Sequence, residues 1–142
     1  MLGKTAQDFD KLFSECLQFR SKNRIPALSY YYQGNHCSLW RCAQPKSGLL
    51  NKTSNGDVEV LLAIAKMSKA GNETGITIFD ARPYNSALGN RARGGGFEQI
   101  EYYQIANAKQ EFLNIRNIHA VRKSFQNFED LCIISGLFKN YP

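Results

Sequence analysis
The chain has no apolar run long enough to cross a bilayer. Its longest, Val60-Leu61-Leu62-Ala63-Ile64-Ala65, holds six residues, where a spanning helix needs about twenty. Membrane contact is therefore expected to be peripheral. Met1 to Asp8 lacks an apolar core and carries an early acid, which excludes a secretory signal. There are only four cysteines; without an export signal, reduced thiols in a cytosolic setting are the expectation. His36, Cys37 and Cys42 have no matching second pair at metal-ligand spacing, so no metal is expected. The stretch Gly94-Gly95-Gly96 is followed by no Gly-Lys-Ser or Gly-Lys-Thr and fits no Gly-x-Gly-x-x-Gly, which removes the common nucleotide loops. No repeat, low-complexity tract or second domain is visible.

Acids are also scarce. Twelve Asp and Glu against eighteen Lys and Arg leave a net charge of +6, which suits an anionic partner or simply a solvated basic surface. With 43 % apolar and 21 % charged residues in 142, the composition is that of a single globular domain, residues 1–142.

Thr5 with Asp8 marks a helix start, and Phe9, Leu12, Phe13, Cys16 and Leu17 repeat at helical spacing. Ser21 to Arg24 breaks that helix. A hairpin follows, with Ile25 to Tyr32 and Cys37 to Gln44 as strands about a turn at Gln33-Gly34-Asn35-His36. Pro45 to Gly56 reads as a surface loop. Asp57 is expected to cap a helix over Val58 to Ala70, with Gly71 as its stop. Ile76 to Phe79 is a buried strand, Gln110 to Ile115 another, and Asn117 caps a last helix carrying Ile118, Val121, Phe125, Phe128 and Cys132. The order predicts an α/β fold, a mixed sheet flanked by helices, with parallel pairing in the second half.

The stretch from Phe79 to Glu98 concentrates the polar chemistry. Asp80 and Arg82 directly follow an apolar strand, at the edge where α/β proteins bind ligands. They fit either an ion pair ordering the turn or a ligand role. Arg91-Ala92-Arg93-Gly94-Gly95-Gly96 reads either as a loop that brings backbone N–H groups near phosphate or as a mobile turn. Asn90 and Asn117 fall at such edges, where an amide can cap a helix or bind hydroxyl and phosphate oxygens. His119 lacks a partnered nucleophile and reads as structural. Tyr30, Tyr31, Tyr32 and Trp40 fit cross-strand packing better than base stacking.

Four blocks in order resemble the myotubularin family of phosphoinositide phosphatases. They are Phe19-Arg20-Ser21-Lys22-Asn23-Arg24-Ile25-Pro26-Ala27-Leu28-Ser29-Tyr30, Trp40-Arg41-Cys42-Ala43-Gln44-Pro45, Asp80 through Gly96, and Asn117-Ile118-His119-Ala120-Val121-Arg122. The resemblance covers residues 19 to about 131; the tail from Ile133 to Pro142 departs from it. It implies part of a protein-tyrosine-phosphatase-like domain, from a family that removes the D3 phosphate of phosphatidylinositol 3-phosphate and phosphatidylinositol 3,5-bisphosphate.

By position, Asn90, Asn117 and Ile118 match family residues lining the inositol headgroup site, with Arg91 and Arg93 at its rim. Gly89 stands where the family usually has Ala, which should loosen the turn slightly. The implied partners are a phosphoinositide headgroup, a peripheral membrane surface, and other family members in homo- or heteromers. No cofactor is implied, and the block order argues against nucleic acid. The implied location is cytoplasmic, peripheral to endosomal membranes.

The family's chemistry needs a thiolate with an Arg six residues later. Six residues beyond Cys16, Cys37, Cys42 and Cys132 stand Lys22, Ala43, Gly48 and Phe138. No catalytic residue is therefore assigned, and the chain is expected to be inactive alone; a non-catalytic regulatory module pairing with active relatives is the alternative.

Overall fold
The computed structural model describes residues 5–67 and 75–135. Helix α1 (Ala6–Phe19) begins as expected. Thr5 and Asp8 form a reciprocal capping box, Asp8 N donating to Thr5 Oγ1 and Thr5 N to Asp8 Oδ2. Of its apolar face only Cys16 is buried, while Phe9 and Phe13 stay about half exposed. A short 3₁₀ turn, Ser21–Asn23, follows with Lys22 and Asn23 at positive φ. The strands β1 (Ala27–Tyr32) and β2 (Cys37–Arg41) pair antiparallel, with an irregularity between Leu28 and Tyr30. At the turn, Asn35 Oδ1 accepts from Cys37 N and Tyr31 Oη meets His36 Nδ1 at 2.6 Å.

Helix α2 (Asn55–Met67) starts three residues earlier than Val58, and Asp57 is not its cap. Ser54 takes that position, accepting at Oγ from Asp57 N and at its carbonyl from Val58 N. The Asp57 carboxylate turns inward to an arginine instead. Residues 68–70 and Gly71 lie outside the described residues. Leu61, Ile64 and Ala65 of α2 build the core with Tyr103 and Ile105, and Trp40, Ile76, Ile78 and Ala108 pack around it.

The strands β3 (Gly75–Asp80) and β4 (Asn107–Phe112) pair in parallel register, Gly75 opposite Asn107 and Asp80 opposite Phe112. Parallel pairing in the second half is as expected, but β4 begins three residues earlier than the apolar pattern indicates. Its partner β3 sets the register, and Leu113 and Ile115 merely prolong the edge by donating to the carbonyls of Asp80 and Ala81. Between them lies α3 (Tyr84–Ala92), a helix that no apolar periodicity in the sequence signals. After β4 comes α4 (Ile118–Ile134). The expected mixed sheet does not form among the described residues: the two sheets have two strands each. An open groove of about 770 Å³ separates β2 from β3, floored by Leu61 and Ile64 of α2.

Fully buried charges tie the halves together. The Arg20 guanidinium donates from Nε and Nη2 to the two Asp57 oxygens at 2.6 and 2.7 Å, and from Nη1 to Glu98 Oε1 and the Ala43 carbonyl. Tyr103 Oη donates to Glu98 and Cys16 Sγ to Asp57 Oδ1. Burial alone would lower the Arg20 pKa, but Glu98 and Asp57 outweigh it and raise it.

The Cys16 thiol is pushed up from 9.0 to about 12, first by burial and then by its bond to Asp57. Tyr103 is raised too, by burial and by Glu98. Groups that bind protons more tightly when folded stabilise the protein fully below their unfolded values. That contribution is lost as pH rises, for Cys16 by about 1.4 kcal/mol per pH unit above about pH 9. The urea midpoint is therefore expected to fall between about pH 8 and about pH 10.5. The fall should be smaller in Cys16→Ala. A midpoint that does not move over that range contradicts protonated burial.

Candidate functional site
Parallel β3 and β4 end at one edge, and each is followed, after a short connection, by a helix. There the Asp80–Arg82 alternative is resolved in favour of an ion pair. Arg82 donates to Asp80 from its backbone N, from Nε at 2.9 Å and from Nη2. Its remaining reach goes to Gln44 Oε1 and, at 2.9 Å, to the Gly96 carbonyl. With four of its five side-chain N–H donors taken by protein acceptors, the guanidinium has little left for a ligand.

The triple-glycine segment is hydrogen-bonded to neighbouring backbone rather than left as an open loop. Gly95 N donates to the Asn90 carbonyl at 2.9 Å, and Gly48 N donates to the Gly95 carbonyl at 2.8 Å. Gly96 is buried so tightly that a Cβ would lie 2.0 Å from Ser47 Oγ. The glycines therefore let the segment dock onto residues 44–48. Arg91 belongs to the same dock, with Nε donating to the Gly48 carbonyl at 3.0 Å and its guanidinium 5.2 Å from the Phe97 ring centre. Phe112 meets both Phe97 and Tyr84 edge-on, and the Phe97 and Tyr84 rings are tilted 55° to each other. Arg93 is exposed and has no ion-pair partner among the described residues.

Gly89 lies inside α3, not in a turn, and a Cβ there would meet open space. Glycine at such a helix position costs about 1 kcal/mol against alanine.

Asn90 sits half-buried on the last turn of α3, its carbonyl closing the helix by accepting from Arg93 N and Gly95 N. Asn117 caps α4, with Oδ1 accepting from His119 N and Ala120 N at 3.1 Å each. That leaves its Nδ2 as an outward donor beside the positive helix end. Ile118 is largely exposed next to it. Asn117 and Ile118 thus share the strand edge. No hydrogen bond joins Asn90 to either among the described residues; it stands toward the 44–48 dock.

The sequence reading missed the roles of Arg20, Asp57, Glu98 and Tyr103. A buried charge has no local sequence signature; Asp57 after a polar loop looks like a cap. Among the described residues no three or more His, Cys, Asp or Glu could hold a metal ion, and no helix is long and apolar enough to cross a membrane.

Polar groups gathered where two parallel strands give way to helices mark the usual ligand edge of an α/β domain. Comparison narrows it: residues 5–139 match the myotubularin-like phosphatase domain, and the chain belongs to that family. It is 38 % identical over 122 residues to the phosphatidylinositol-3,5-bisphosphate 3-phosphatase MTMR2 of Pongo abelii, covering 86 % of this chain and 18 % of that protein. It is 40 % identical over 113 residues to myotubularin of Xenopus laevis, covering 80 % and 18 % respectively. For MTMR2 of Gallus gallus the figures are 38 % over 122 residues, 86 % and 21 %. The chain thus spans about a fifth of the length of these curated relatives.

Proposed function
We propose that this chain supplies one wall of a phosphoinositide headgroup pocket within a protein-tyrosine-phosphatase-like domain. The ligand class is phosphatidylinositol 3-phosphate and phosphatidylinositol 3,5-bisphosphate, met at the cytoplasmic surface of endosomal membranes. The observation that carries the reading is the family match across residues 5–139. Physical support comes from Asn117, whose spare Nδ2 and helix N-terminus suit a phosphate or inositol hydroxyl. Asn90 and Ile118 complete the proposed wall. The groove between β2 and β3, with apolar α2 beneath it, has the shape that further strands would fill to join the half-sheets into one.

On this reading the 142-residue polypeptide binds headgroup weakly and does not turn it over, because none of its cysteines is followed six residues later by Arg. Incubation with short-chain phosphatidylinositol 3-phosphate should release no phosphate above buffer, and measurable turnover would refute inertness. In a nitrogen-edited NMR titration with inositol 1,3-bisphosphate, the Asn117 side-chain amide and the Asn90 signals should shift. If both stay fixed up to millimolar ligand, the pocket wall is wrong.

A further inference from the structure
Asn90 and Asn117 come from different helices, and a rigid inositol ring can meet both only if their separation is fixed. Asn117 is set by its own cap, with Oδ1 accepting from His119 N and Ala120 N. The segment leading into that cap is tied to the end of β3. There Leu113 N and Ile115 N donate at 2.8 Å to the carbonyls of Asp80 and Ala81. Asn90 is tied instead to the glycine segment, since Gly95 N donates to its carbonyl at 2.9 Å. Each asparagine therefore has an anchor, and the two anchors lie on different segments.

One side chain spans them. Arg82 holds Asp80 through Nε and Nη2, the Gly96 carbonyl through Nη2, and Gln44 Oε1 through Nη1. Gln44 in turn lies against the glycine segment, where a Cβ on Gly95 would stand 2.9 Å from its Nε2. The Arg82 and Asp80 side chains are only 25 % and 13 % exposed, so water competes weakly for these bonds. We infer that Arg82 is a positioning residue for the headgroup site, an inference that rests on the headgroup reading. It acts through the asparagines rather than on the ligand, fixing Asn90 relative to Asn117. The planar fork of donors does the holding, not the charge alone.

Arg82→Lys tests this, because it keeps the charge while a single ammonium cannot span Asp80, Gln44 and Gly96. The 142-residue chain and the variant are titrated with inositol 1,3-bisphosphate in nitrogen-edited NMR, with circular dichroism to check folding. In the variant the Asn117 side-chain amide should still shift, since its cap is local. The Asn90 response should be lost and the Kd should rise about tenfold, the worth of one hydrogen bond. An affinity within twofold of the unaltered chain would make charge sufficient and overturn positioning. So would loss of both responses, or of neither, in a folded variant. Should Arg82→Lys not fold, Gln44→Ala, which removes one acceptor of the bridge, is read in the same way. The bridge itself is read without ligand, by amide hydrogen exchange. Gly95 and Leu113 should exchange about tenfold faster in the variant while Ile64 of α2 is unchanged. Unchanged exchange at either would overturn the bridge. An unaltered chain that the ligand does not shift, with exchange as expected, would refute the headgroup reading and leave the bridge standing.

Discussion
Arg20→Ala should lower the unfolding free energy by about 3–5 kcal/mol, read as a shift of the urea midpoint. Arg20 is fully buried and neutralises two buried carboxylates, Asp57 and Glu98. Removing it strands both, along with the Ala43 carbonyl it serves. For a domain whose total stability is about 5–15 kcal/mol, that is a large share of the margin. Arg20→Lys should rescue little, since an ammonium cannot supply the paired donors that meet both Asp57 oxygens. Adding Asp57→Asn and Glu98→Gln to Arg20→Met should recover part of the loss, because the deficit comes from unpaired charge more than from lost contact. A midpoint shift worth less than about 1 kcal/mol in Arg20→Ala would show that the cluster does not hold the fold.

Gly56→Ala is expected to cost about 2–3 kcal/mol, the next largest effect. Two terms oppose each other. Alanine improves helix propensity within α2 by about 1 kcal/mol. Against this, its Cβ would lie 2.2 Å from the Leu12 carbonyl oxygen and 2.7 Å from Glu15 Cβ. Both belong to α1, and the nearer is backbone, which cannot rotate aside. Relief requires α1 and α2 to separate, which would strain the 3.0 Å bond from Gly56 N to Glu15 Oε2 and the Cys16–Asp57 contact. The steric term wins. An unchanged or raised midpoint in thermal or urea unfolding would show that the two helices are not in close contact at this point.

Much of this architecture was legible because local signals agreed with the tertiary result. Thr5 and Asp8 announced α1, Gly34 and Asn35 announced the hairpin, and Asn117 announced α4. The parallel β3–β4 pair followed from a strand–crossover–strand order. The misses share a physical cause, which is that distant partners decided the local state. Helix α3 contains Asn85, Ser86, Gly89 and Asn90, all weak helix formers, and is held by buried Ala87 and by Tyr84 against Phe97 and Phe112. The start of β4 at Asn107 reflects pairing with β3 rather than its own β propensity.

At the candidate site, the polar identities of Asn90 and Asn117 were legible, but their partners were not. Arg82 and Arg91 looked available for anions; the carbonyls of Gly96 and Gly48 that accept a bond from each lie 14 and 43 residues away in sequence.

The Arg20 cluster also bears on the order in which the chain assembles. Its partners lie 37 and 78 residues downstream, so the cluster must close two long loops before both carboxylates are neutralised. While half-formed it holds desolvated, unmatched ions, an unfavourable condition for a folding nucleus. The hairpin can form on a shorter loop and precede it. The cluster then acts as a late latch, slowing escape from the native basin more than it speeds arrival.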